Sequence, residues 1–162
     1  MLIILNSKLN KLNLFCYYFI VFLLMRKYIL LLLLPIFWNC NPENFNNNNP
    51  YIPNYTFSVD INLDLPSYTN LQFVSNGKYI PNYGARGIIV FNAGNNNFVA
   101  YDAACPNQAM SACSTMSVSG INAICSCDNA SYSLFSGQCV GKQYPLKPYR
   151  VVVNGNNIRV YN

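Results

Sequence analysis

Apolar residues fall along this chain in two rhythms. Between positions 14 and 38 they are nearly continuous, and Arg26 and Lys27 are the charges that interrupt them. From about position 55 they come as short runs rich in Val, Ile, Tyr and Phe, divided by Gly, Pro, Asn and Ser. Short β-branched and aromatic runs punctuated in this way read as strands. The runs at 55–61, 71–74, 87–91, 98–101, 115–118, 121–125, 132–135, 149–153 and 158–161 predict nine strands and no helix. Asn154-Gly155, between two Val/Ile runs, is a hairpin signal, because both central residues of such a tight turn need positive φ. Ser119-Gly120 reads in the same way, and 92–97 reads as a loop joining two strands. Pro66, Pro81, Pro106, Pro145 and Pro148 all fall between runs, where the missing amide hydrogen does no harm. The expected fold class is all-β, one domain over 55–162.

The N-terminal rhythm divides at Arg26-Lys27 into blocks shorter than the ~20 residues that cross a bilayer. Read from Met25, it becomes a basic start (Met25-Arg26-Lys27-Tyr28), an apolar stretch over 29–38, and Cys40 at a cleavage point. This resembles a bacterial lipoprotein signal, in which the peptidase cuts before a lipidated cysteine. The resemblance makes 1–39 a leader, with Met25 as an alternative start, and Cys40 a lipid anchor. Residues 40–54 follow as a tether, with Asn46 to Asn49 as a homopolymer and prolines at 42, 50 and 53. A polar stretch of this kind cannot bury enough surface to order itself.

Composition narrows the function classes. At 52% hydrophobic and 9% charged, the chain is too apolar for disorder. The formal charge of +5 belongs largely to the leader, because six cations and five acids lie from Cys40 onward. A nearly neutral domain offers no electrostatic case for nucleic acid. Histidine is absent, which excludes imidazole ligands and a Ser-His-Asp triad. No P-loop or dinucleotide-binding glycine loop is present, and no small-molecule substrate suggests itself. The expectation is a protein that is not an enzyme.

Of seven cysteines, five (Cys105, Cys113, Cys125, Cys127 and Cys139) lie between 105 and 139, a density that points to disulfides or a metal. Cys105-Pro106-Asn107 is followed by seventeen residues and then Cys125-Ser126-Cys127-Asp128, with an apolar stretch ending at Gly137 behind it. Phe98-Val99-Ala100-Tyr101-Asp102 precedes the first group, and Tyr144-Pro145-Leu146-Lys147-Pro148-Tyr149-Arg150-Val151 closes the segment. This arrangement resembles the Rieske iron-sulfur domain, whose signature is Cys-x-His, about fifteen to seventeen residues, then Cys-x-x-His. The resemblance implies an antiparallel β-sandwich with a small two-loop cluster-binding subdomain. It would make Cys105, Asn107, Cys125 and Asp128 the four ligand positions of a 2Fe-2S cluster.

Both histidine positions differ. Asn107 offers a neutral, weakly basic amide oxygen, and Asp128 a hard anionic one, so an ordinary Rieske centre cannot form. Three readings follow from the resemblance. Cys105 and Cys125, at the tips of adjacent loops, form a disulfide, with Cys113 and Cys127 as a second pair and Cys139 left over. Alternatively a reassigned 2Fe-2S cluster is held by Cys105, Cys125, Asp128 and one of Cys113 or Cys127. The third is mononuclear zinc on four thiolates. The first reading needs no cofactor, and makes the protein a disulfide-stapled binding or structural module of the cell envelope, anchored to the membrane through Cys40 and facing the periplasm or exterior, with an envelope protein as its partner. The second makes it a non-catalytic electron carrier. Elsewhere, Tyr79, Tyr83, Tyr132, Tyr144 and Tyr149 are expected to pack by their rings, Arg86 and Asp102 to sit at the surface, and the Asn129 side chain to hold the second loop in its turn.

Overall fold

The computed structural model describes residues 17–20, 22–23, 25 and 48–162. Residues 17–20, 22–23 and 25 are helical and exposed. Among the described residues no helix is long and apolar enough to cross a membrane. The rest of the expected leader, with Cys16, and the expected tether from Cys40 to position 47 lie outside the described residues.

Among the described residues nine strands form two antiparallel sheets: β1 (Ser58–Asn62), β2 (Gly77–Ile80), β3 (Ile88–Gly94), β4 (Asn97–Asp102), β5 (Ser117–Ser119), β6 (Asn122–Ile124), β7 (Ser131–Ser133), β8 (Pro148–Asn154) and β9 (Asn157–Tyr161). The larger sheet has the order β1-β9-β8-β4-β3-β2, and the smaller one β5-β6-β7. The architecture is all-β, as expected. Two of its details correct the sequence reading. The run 71–74 is not a strand: Leu71 is buried within a short 3-10 helix, Thr69–Gln72, while Phe73 and Val74 are 63% and 58% exposed. An apolar run whose members point in unrelated directions has no strand face to bury. The strand omitted was β2, an edge strand in which only Ile80 is fully buried.

β3 explains the packing. Its alternate residues enter two cores: Ile89 and Phe91 face the smaller sheet, while Ile88 and Val90 face the other side of the larger one. A strand covered on both faces loses the apolar-polar alternation, which is why Ile88-Ile89-Val90-Phe91 reads as a continuous run. One core is shared by β1, β9, β8, β4, β3 and β2, with Leu71 inserted, so the larger sheet curls around it. The other core lies between the sheets.

The hairpins form where the turn residues sit. Asn95 and Asn96 both have positive φ, so β3 and β4 run closer together than the expected six-residue loop. In the β8–β9 hairpin Asn154 pairs with Asn157, which makes Gly155-Asn156 the central pair, and the positive φ of 58° falls on Gly155. The turn is therefore one residue later than expected, and a primed turn with glycine first needs only that one unusual conformation.

Part of the tether stretch also differs from expectation. Ile52 is 2% exposed, and Lys147 Nζ donates to Ile52 O at 3.1 Å, Pro53 O at 2.8 Å and Asn54 Oδ1. Asn49 Nδ2 donates to Pro106 O at 2.9 Å. One buried aliphatic side chain and a lysine with three acceptors are enough to dock residues 49–54, even though their composition is polar.

Candidate functional site

Two loops carry four of the cysteines. The first leaves β4 and runs over 103–116 to β5. Its base closes as a short ladder in which Cys105 N donates to Ser114 O at 2.8 Å and Met116 N to Ala103 O at 2.7 Å. The second loop, 125–130, joins β6 to β7. It turns tightly, with Cys125 N donating to Ala130 O and Asn129 N to Cys125 O, both at 2.9 Å. Asn129 takes the left-handed conformation, φ 57°. The side-chain bond in this turn comes from Asp128, whose Oδ1 accepts from Ala130 N at 3.1 Å, and not from the Asn129 side chain as expected.

The loop tips are covalently joined. Cys105 and Cys125 form a disulfide with Cα atoms 5.6 Å apart, and Cys113 and Cys127 a second with Cα atoms 5.1 Å apart. Both separations lie in the ordinary disulfide range. The two bridges are not alike: Cys105 and Cys125 are each 1% exposed, whereas Cys113 lies at the surface. The sulfurs of Cys105, Cys125 and Cys127 all lie within 4.8 Å of one another. Cys139 is a free, half-buried thiol packed against the core between the sheets.

The other two signature positions are fully engaged. Asn107 Nδ2 donates to Tyr132 Oη at 2.9 Å and to Tyr144 O at 2.7 Å, and its Oδ1 accepts from Tyr144 N at 2.9 Å. One amide thus ties the first loop to β7 and to the segment before β8. Burial holds the Tyr132 phenol above its ordinary pKa, and the Asn107 bond partly offsets this. Asp128 Oδ2 accepts from Lys142 Nζ at 2.6 Å. That hydrogen bond, together with the Ala130 amide, holds the Asp128 carboxyl below its ordinary pKa and keeps it anionic.

These residues do not fit an ordinary Rieske cluster. The two sulfurs that would hold the first iron are bonded to each other. Asn107 has spent its amide on Tyr132 and Tyr144, and the Asp128 carboxylate is claimed by a lysine and a backbone amide.

Asp102 is a site residue that the sequence reading misplaced. It is 0% exposed, not at the surface, and accepts from Tyr149 Oη at 2.6 Å, Ala85 N at 2.7 Å and Ala104 N at 2.7 Å. Three donors compensate the buried carboxylate, and they fasten the root of the first loop to β8 and to the turn before β3. Burial first, and Asp102 second, push the Tyr149 hydroxyl well above its ordinary pKa, so it remains a donor. Gly84 belongs to this arrangement, because a Cβ there would meet Asp102 Oδ2 at 2.5 Å and Tyr149 Oη at 2.6 Å. An acid closing an apolar strand just ahead of a cysteine loop was the available signal. Arg86 is half-buried and donates through Nη2 to Ser111 O at 2.7 Å, bracing the same loop. Of the tyrosines, Tyr132 and Tyr149 are buried, while Tyr79 stays exposed and donates to Arg86 O at 3.0 Å.

No protein-family model matches the chain, and no curated protein does. Solved structures do resemble it. A chain of the complex of reduced oxygenase and oxidized ferredoxin in carbazole 1,9a-dioxygenase aligns at 17% identity and a TM-score of 0.45, covering 64% of this chain and 92% of its own. The putative NADH-dependent nitrite reductase small subunit from Mycobacterium tuberculosis aligns at 13% identity and a TM-score of 0.43, covering 67% and 97%. The ferredoxin of carbazole 1,9a-dioxygenase from Nocardioides aromaticivorans IC177 aligns at 15% identity and a TM-score of 0.39, covering 56% and 90%. At these scores the description of the fold rests on the strand order and register given above.

Proposed function

We propose that this chain is a lipid-anchored protein of the cell envelope whose Rieske-like domain works as a disulfide-stapled, non-enzymatic binding or structural module. The observation that carries the reading is the Cys105–Cys125 disulfide, which joins the loop tips where a metal would otherwise bridge them. Asn107 supports it by acting as a structural tie in a position where a ligand would be needed. The anchor is Cys40 and the partner a protein at the same membrane surface; two disulfides in one small domain suit an oxidising compartment outside the cytoplasm. The runner-up is an electron carrier with an atypical 2Fe-2S cluster on Cys105, Cys125, Asp128 and Cys113 or Cys127, and the proximity of three sulfurs within 4.8 Å speaks for it.

Anaerobic purification with iron analysis, visible absorption and low-temperature EPR separates the two readings. Iron-free, colourless protein with Cys105 joined to Cys125 in a non-reduced peptide map is the expected result. Two irons per chain with a reducible signal would establish the electron carrier instead. For the anchor, Cys40→Ser is expected to abolish membrane association and to remove the mass of the lipid. Unchanged partitioning and mass would remove the anchor from the reading.

A further inference from the structure

We propose that the two disulfides form a thiol–disulfide relay: the exposed Cys113–Cys127 bond receives a pair of electrons from an external dithiol, and Cys127 passes them to the buried Cys105–Cys125 bond. The relay rests on the stapled reading above and gives the second bridge a role beyond stability.

Access is asymmetric. Cys105 and Cys125 are each 1% exposed, so no bulky thiol reaches them directly, whereas Cys113 is open to solvent. Cys127 bridges the two environments, because it is bonded to Cys113 and its sulfur lies within 4.8 Å of both buried sulfurs. Two hydroxyls face the Cys127 sulfur, Ser111 Oγ at 3.6 Å and Ser114 Oγ at 3.8 Å. A disulfide sulfur has no hydrogen to give, so Ser111 Oγ, 3.2 Å from the Cys113 sulfur and 3.6 Å from that of Cys127, is placed to donate to either sulfur as the outer bond breaks, whereas Ser114 Oγ donates to Ala109 O at 3.5 Å. The Arg86 bond to Ser111 O holds the first of them in position.

The steps balance. An external thiolate attacks the Cys113 sulfur, forming a mixed disulfide and breaking the Cys113–Cys127 bond, with Cys127 leaving as thiolate. Cys127 then attacks Cys105 or Cys125, so that one protein disulfide forms, another breaks, and the released sulfur becomes the new thiolate. The second thiol of the external dithiol attacks its partner sulfur in the mixed disulfide and frees Cys113. One dithiol is oxidised to a disulfide, and one protein disulfide is reduced by two electrons and two protons. The partner class is a dithiol-bearing reductant, with dithiothreitol as the probe.

The test uses the full chain with Cys16→Ser, Cys40→Ser and Cys139→Ser, so that the four loop cysteines report alone. A non-reduced peptide map comes first: free thiols on all four in iron-free protein would overturn the staples and the relay together. Given intact pairs, Cys113→Ser leaves Cys127 as a thiol beside the buried bond. After acid quench and alkylation, label is expected on Cys105 or Cys125 as well as on Cys127, at about a tenth or more of the total. Adding Cys127→Ser, with the outer staple absent from both variants, is expected to slow reduction of Cys105–Cys125 by dithiothreitol by about tenfold or more. Label confined to Cys127, or equal rates, would overturn the relay and leave the staples standing. Should the variants misfold, the chain with all four loop cysteines treated with one equivalent of dithiothreitol decides. Label on Cys113 with Cys105 or Cys125 supports the relay, and label on Cys113 and Cys127 alone overturns it.

Discussion

The curled sheet and the cysteine loops solve the same problem by different means. In the sheet, six strands bring Ile61, Ile88, Val90, Ile158 and Val160 into one core, closed by Leu71 from the 3-10 helix, that excludes water largely through apolar side chains. The loops have only three short strands behind them and spend their length on turns. There, two disulfides, the Asn107 bonds and the buried Asp102 act beside the apolar core that the loops share with β3 and β4. Apolar burial grows with the area of a layer, so loops that reach beyond the strands are secured by bonds that act at single points.

The largest expected effect is in the sheet. Ile158→Ala is expected to cost about 4 kcal/mol of unfolding free energy by urea titration while leaving both disulfides intact in a peptide map. A cost below about 1 kcal/mol would show that this core does not carry the domain. Next, the paired change Cys105→Ala with Cys125→Ala is expected to cost about 3 kcal/mol by the same titration, with hydrogen exchange accelerating around 103–116 and 125–130 more than in β8 and β9. Uniform acceleration would erase the distinction between the regions. Tyr149→Phe removes one of three donors to Asp102 and is expected to cost about 2 kcal/mol, read as a lowered denaturation midpoint at unchanged slope.

The smallest effect is at the surface. Lys142→Ala should return the Asp128 titration, followed by NMR, upward toward the ordinary carboxylate value of 3.8. Because the folded-state pKa is lowered, the stabilising contribution is present above that value and fades as pH falls through the folded one. The change in Tm at neutral pH is expected within about 2 °C and shrinks with added salt.

Strand type was legible wherever local pattern and tertiary role agreed, as in β3, β4, β8 and β9. It was not legible where burial was decided elsewhere. Phe73 and Val74 look like strand residues and are exposed, while Gly77-Lys78-Tyr79-Ile80 has too little apolar patterning to read as a strand yet pairs with β3 as β2. In the cysteine loops, the resemblance drew attention to the cysteines that pair and to Asn107 and Asp128. It did not reveal what Asn107 bonds to, since Tyr132 and Tyr144 lie 25 and 37 residues away. Asp102 was misplaced for a related reason: a carboxylate is read as exposed until its donors are known, and two of its three, Ala85 N and Tyr149 Oη, lie 17 and 47 residues away.

The docking of residues 49–54 also decides where mechanical load enters. A pull applied at position 48 meets the Asn49–Pro106 bond and the Lys147 clasp on 52–54 before it reaches the register of β1 with β9. Because Pro106 directly follows Cys105, part of that tension is delivered to the stapled loop, and the covalent bridge there lets it bear traction without peeling strands from the sheet edge.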